Sequence, residues 1–143
     1  MEQEPQLSPE HVNPEGLLKW PMLSHVVIAP PGRLAFIAGQ SAHDRDGRLI
    51  GDRDLYAQSV KALQNLRVAL AAAGAKPSDI LTSTVYIAEL NLDRATAFVE
   101  ALGMAPDDGP LPPHAINLVG VSSFPAAGQL IEIAAVAAIP SPG

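Results

Sequence analysis

The chain has 143 residues, the size of one domain able to bury roughly 70% of its extended surface without disulfide or metal staples. Lys+Arg 9 against Asp+Glu 15 leaves a charge of −6, and there is no cysteine. That balance excludes a phosphate-capturing basic field, and the missing thiols exclude disulfides, thiolate nucleophiles and zinc or iron–sulfur ligation by cysteine. Hydrophobic residues are 48% but aromatics only 4%, so the core is aliphatic; the 17% of charged residues, against about 25% in an average domain, points to apolar surface hidden between subunits.

Residues 1–17 carry three prolines among scattered acids and read as an extended arm preceding a single domain over 18–143. The acidic start lacks the cationic region and apolar stretch of a signal peptide, so a cytoplasmic protein is expected. Ser24–Pro30 is predicted as a strand, Pro30-Pro31-Gly32 as a turn and Leu34–Ala38 as a second strand, together a hairpin. Asp44–Gly51 is a polar loop with an Asp46-Gly47 turn.

Leu55–Ala73 shows the clearest helical period, with Asp54 as N-cap, Gly74 beyond its end and Pro77 blocking continuation. Ile80–Ala88 is a strand rich in Thr, Val and Ile, and Leu92–Leu102 a second helix ending at Gly103. Pro106–Pro113 holds four prolines and reads as an irregular connection. Two closing strands, Ala115–Ser122 and Gln129–Ile139, flank a loop with Pro125 and Gly128. The order β-β-α-β-α-β-β, with hairpins at each end, fits an α+β fold: a mixed sheet with both helices on one face.

Along the last strand one face carries Ile131, Ile133, Ala135, Ala137 and Ile139, the other Leu130, Glu132, Ala134, Val136 and Ala138. A strand apolar on both sides is covered on both. Two helices cover one face, so a second copy of the chain is the expected cover for the other. The run is too short to span a bilayer, so no membrane partner is expected. Glu132 stands alone on its face, either as a general acid/base in an intersubunit cleft or as a structurally satisfied carboxylate.

Several ordered fragments carry a resemblance: Phe36-Ile37-Ala38-Gly39-Gln40, Gly47 with Leu49 and Gly51, Gln58 and Asn65 around Ala62-Leu63, Ala72-Ala73-Gly74-Ala75, Thr84-Val85-Tyr86-Ile87, Val119-Gly120-Val121 and Leu130-Ile131-Glu132-Ile133. Over about residues 20 to 139 the chain resembles the YjgF/RidA-like family, also known as endoribonuclease L-PSP. The resemblance implies a chorismate-mutase-like fold, a homotrimer with sheets lining a central barrel, and a small-molecule cleft between adjacent subunits. It implies hydrolysis of enamines or imines to a 2-oxo acid and ammonia, an arginine clamping the substrate carboxylate, a glutamate and backbone groups positioning water, and no metal or organic cofactor.

Carried onto this sequence, the family's positions give Glu132 as the catalytic group and Ala38, Gly39 and Gln40 as substrate-binding backbone. Counting back from Val119-Gly120-Val121 puts Ile116, beside Asn117, at the arginine position. Leu23, ahead of Ser24, replaces the family's tyrosine, and the asparagine of its second helix falls near Ala97. His114 takes the arginine's place if a two-residue bulge follows it; otherwise it is a solvent-exposed residue at a strand's start. An isoleucine cannot grip a carboxylate bidentately. The expectation is therefore a divergent hydrolase of altered substrate, or a catalytically silent binding or chaperone-like trimer.

Other signals are weaker. His43, Asp44 and Asp46 read as a solvated turn, lacking the calcium-loop spacing. Gln58 and Asn65 share a helical face and tie the helix to loops, and Trp20 packs the root of the arm. Ser122 and Ser123 lie in no nucleophile-elbow context. Ribonuclease activity fits poorly with a charge of −6 and few aromatics.

Overall fold

The structure, a computed structural model, describes residues 8–103 and 110–140. Helix α1 (Leu55–Ala72) starts where the Asp54 carboxylate accepts a 3.1 Å hydrogen bond from the Ala57 amide. It ends where Ala73 caps it and Gly74 turns left-handed at φ 82°, one residue short of the predicted Ala73. Helix α2 (Leu92–Gly103) is capped by Asn91, whose side chain accepts from the Arg94 amide at 2.9 Å.

Both helices lie on one face of a four-stranded sheet ordered β3-β6-β4-β5, built from β3 (Arg33–Gln40), β6 (Ile131–Ile139), β4 (Ile80–Ala88) and β5 (Ala115–Val121). β6 runs antiparallel to both neighbours, and β4 pairs parallel with β5 through the α2 crossover. Ile131, Ile133, Ala135 and Ala137 of β6, with Val85 and Ile87 of β4, pack under Leu63, Leu66 and Leu70 of α1 and Phe98 and Leu102 of α2. The core is aliphatic, as composition requires, and the predicted division of β6 into two faces holds, except that Ala138 is also buried.

Neither predicted hairpin forms. The first strand, β2 (Val26–Ile28), pairs instead with β1 (Glu10–Val12), a piece of the arm, while β3 pairs with β6. Ala29-Pro30-Pro31-Gly32 supplies two residues without an N–H, which denies the connection the hydrogen bonds of a tight turn. At the other end β4 lies between β5 and β6; once the α2 crossover sets β5 parallel to β4, the residues from 122 to 130 carry the chain over β4 to its open edge. Of the predicted connection Pro106–Pro113, residues 104–109 lie outside the described residues.

Gln58, fully buried on α1, replaces the missing local pairing with three long-range bonds. Its amide nitrogen donates to the carbonyls of Gly51 (3.0 Å) and Gly128 (2.8 Å), and its oxygen accepts from the Leu130 amide at 2.8 Å. Asn65 likewise donates to the carbonyls of Ser41 (2.8 Å) and His43 (2.9 Å), so both residues tie the helix to loops as predicted. Replacing Gln58 by Ala strands the Leu130 amide and leaves the Gly51 and Gly128 carbonyls only the amides of Asp54 and Arg53, and the expected loss is about 1–3 kcal/mol of unfolding free energy. Urea denaturation checks this.

Candidate functional site on the open sheet face

The sheet face away from the helices carries Leu34 and Phe36 of β3, Glu132, Ala134 and Val136 of β6, Thr82, Thr84 and Tyr86 of β4, and Asn117 and Val119 of β5, by strand register. Phe36 is 77% exposed, extreme for a phenylalanine in a strand. With Ala38, Thr82, Thr84, Ala134 and Val136 it bounds a shallow concavity of about 460 Å³.

Glu132 stands beside Tyr86, its register partner on β4. On the other side the β3–β6 ladder slips between Ile37 and Gln40, leaving Ala38 and Gly39 in a bulge. The Glu132 carboxyl group lies over this bulge, in the space a Cβ on residue 39 would occupy. A side chain at 39 would push the carboxylate aside, so glycine there leaves it its seat. Among the described residues that carboxylate has no hydrogen-bond or ion-pair partner in the chain. A half-exposed carboxylate held by packing alone is available to water or ligand.

The structure brings Ala38, Gly39 and Glu132 together, with Asn117 two strands away on the same face. It places the other predicted residues elsewhere. Ile116 pairs with Ser83 and packs against the core, so its side chain faces the helices. The open-face residue beside the counted position is Asn117, opposite Thr84. Counting along the sequence misplaces the face because a one-residue offset in a strand reverses it. Gln40 donates from its side chain to the Ala38 carbonyl at 3.0 Å, a local bond within β3.

Leu23 bridges to His114 beyond β5, at the far edge of the sheet from Glu132. Three strand spacings of about 4.8 Å separate them. Leu23 and Ser24 instead line a cavity of about 670 Å³ beneath the arm, with His11, Trp20, His25 and Pro113. Trp20 lines this cavity at the arm's root.

His114 is 1% exposed, so neither reading of it as a solvent-facing residue nor as a group on the open face holds. Its Nδ1 lies 2.9 Å from the Pro112 carbonyl and its Nε2 2.6 Å from Ser83 Oγ. The carbonyl can only accept, so Nδ1 carries the proton and Ser83 donates to Nε2. Burial pushes the imidazole below its ordinary 6.5; the Pro112 carbonyl opposes this and nearby His11 adds to it. His11 itself meets Ser24 Oγ at 2.7 Å, and the Ser24 amide donates to the His114 carbonyl at 3.0 Å. A chain of polar contacts therefore runs from the arm to β4.

His43 pairs with Ser41 Oγ at 2.6 Å, and the Asp44 carboxylate accepts from the amides of Asp46 and Arg48 at 2.9 Å each, so this loop is a self-satisfied turn. Among the described residues no cluster of three His, Asp or Glu side chains converges on a metal position, and no helix is long and apolar enough to cross a membrane. Sequence reasoning missed Thr84 and Tyr86 as neighbours of Glu132. The alternation Thr82, Thr84, Tyr86 against Ser83, Val85, Ile87 was the available signal.

The chain is thus a small α+β protein, a mixed sheet with two helices on one face and a lone carboxylate over a glycine bulge on the other. The Endoribonuclease L-PSP family profile matches residues 21–139, and the chain belongs to that family, whose members include the YjgF/RidA proteins. It is 32% identical to YyfB of Yersinia pestis, a Rid-family protein of unknown function, with a TM-score of 0.82 over 92% of this chain and 98% of that one. It is 28% identical to Rv2704 of Mycobacterium tuberculosis, of the YjgF/YER057c/UK114 family, at a TM-score of 0.59 over 81% and 86% of the two chains. RidA of an Antarctic Psychrobacter, 22% identical over 96% and 100% at a TM-score of 0.64, shares the fold. A comparison with curated proteins found no match.

Because folding holds His114 neutral, stability is full above the unfolded imidazole's 6.5 and is lost as pH falls below it toward the depressed folded value. Thermal melts from pH 7.5 to 5.5 should show a decline that His114→Gln, though less stable overall, largely lacks.

Proposed function

We propose that this protein is an enamine or imine hydrolase in which Glu132 activates water within a cleft formed when a second copy covers the open sheet face. The observation that carries this reading is the Glu132 carboxylate, lodged over the Gly39 bulge with no partner among the described residues of its own chain. A carboxylate is a competent general base once it holds a water near an electrophilic carbon. The Ala38–Gly39 backbone, freed from regular pairing by the bulge, orients the substrate. The product side of the reaction is ammonia and a carbonyl compound.

The homotrimer belongs to the same proposal. It rests on the family resemblance and on the apolar face around Phe36, Leu34 and Val136, since burying one phenylalanine side chain is worth about 1.5–3 kcal/mol. Leu23, distant from Glu132 within one chain, would enter a site only from a neighbouring subunit, whereas Ser24 and His114 are buried in their own chain and leave the proposed site. The partners proposed are thus further copies of the chain and a small molecule. Sedimentation of Phe36→Glu should show a smaller species than the unmodified protein.

A second reading, a silent ligand-binding trimer, is favoured by the face itself. Next to Glu132 stand Tyr86 and, diagonally, Thr84, with Asn117 one strand further, and among the described residues of this face no arginine. The name endoribonuclease is the least supported, because that face offers a phosphodiester no cation and the chain carries −6.

The test is ammonia release from freshly generated 2-iminopropionate and 2-iminobutyrate. Turnover should fall at least about a hundredfold in Glu132→Gln, in the range ascribed to a general base. Gly39→Ala, which drives the carboxyl group from its seat, should fall comparably. Equal rates in the unmodified protein and buffer favour the silent reading; unchanged rates in Glu132→Gln remove the residue from the mechanism.

A further inference from the structure

Two residues other than glycine among those described have positive φ, Arg53 at 60° and Glu89 at 47°. They lie 36 positions apart in sequence, yet both line one cleft of about 410 Å³ at the end of the sheet where β4 and β5 terminate. Side chains seldom adopt this conformation, and it persists where surrounding structure over-determines it, often around a ligand.

The cleft's polar groups converge from separate elements. Arg53 comes from the turn before α1 and Arg94 from the first turn of α2, with Ser122, Ser123 and Gln129 from the loop between β5 and β6. Arg94 donates through Nη1 to the Ala88 carbonyl, which fixes its guanidinium at the cleft wall. Its contact with Glu89 is 4.0 Å long, and Glu89 is 78% exposed, so that pair is loose and screened. The Arg53 guanidinium has no partner among the described residues. Asp52 is the other nearby carboxylate, and it packs where a side chain on residue 128 would sit.

The walls are rigid for a loop site. The Arg53 amide donates to the Gly128 carbonyl at 3.3 Å, and buried Gln58 holds that same carbonyl together with Gly51 and Leu130. Phe124, Ala126, Ala127 and Leu130 supply apolar surface beside the two cations. Two arginines lining one cleft beside apolar walls suit a carboxylate with a short hydrocarbon tail better than a fully hydrated inorganic anion.

We infer that this cleft is a binding site for a small aliphatic monocarboxylate, with Arg53 and Arg94 gripping the carboxylate and Phe124 and Leu130 flanking the tail. The assignment stands whether or not Glu132 turns over an imine, and it is tested without turnover.

The probe is butanoate, titrated into ¹⁵N-labelled protein, with butanamide as its neutral analogue and inorganic phosphate as the competing anion. Butanoate should produce saturable shifts at Arg53, Arg94 and Gly128, and butanamide none. Affinity should fall at least tenfold in Arg53→Gly, which relieves the left-handed backbone while removing the charge, and in Arg94→Gln. Glu132→Gln, which abolishes the proposed hydrolysis, should leave butanoate affinity unchanged. The assignment is overturned by an equal response to butanamide, by unsaturable shifts, or by full affinity in the folded double variant. Tighter binding of phosphate than of butanoate overturns the carboxylate class.

Discussion

The fold depends on where its last strand goes. β6 enters the middle of the sheet between β3 and β4, and hydrogen-bonds to both. Its inner residues are the floor on which α1 and α2 rest, and its outer face carries Glu132. Until β6 is in place, β3 and β4 have no common partner and neither helix has a complete surface to cover. The contacts that define the core and the site are therefore non-local, and such contacts are closed against chain entropy. The three bonds of Gln58 secure this insertion by fixing the loop that delivers β6 to the helix that lies above it.

The same strand explains why the site sits where it does. The covered face carries Ile131, Ile133, Ala135 and Ala137, all buried in the cluster under the helices. The open face has no such cover within the chain. There the bulge at Ala38–Gly39 interrupts β3 opposite Glu132 and makes room for a carboxyl group that a regular ladder with a side chain at 39 would exclude. Backbone irregularity and chemical group coincide, as expected where pairing is given up to position a side chain.

Much of this was legible in the sequence because it is written in local patterns. Asp54, Gly74 and Pro77 bracket α1, and the alternation along β6 separates its two faces. What failed was pairing. Two apolar strands flanking Pro-Pro-Gly look like a hairpin, but β2 and β3 each found a partner remote in sequence. His114 could not be read as buried because the hydroxyl that satisfies it, on Ser83, is 31 residues away. Ile116 and Asn117 differ by one place in the sequence and by the full thickness of the sheet in space. No composition argument resolves a single-residue register.

The distribution of charge is the remaining physical point. An arginine next to Glu132 on the open face would be within reach of its carboxylate, and an ion pair there would compete for the oxygen that a water must approach. In this chain the neighbours on β4 are Thr84 and Tyr86, whose hydroxyls can donate hydrogen bonds without adding charge. Arg53 and Arg94 stand instead at the cleft where β4 and β5 terminate, one on the turn before α1 and the other in the first turn of α2. The two arginines line a cleft that Glu132 does not enter, so cations and lone carboxylate are kept apart within the chain.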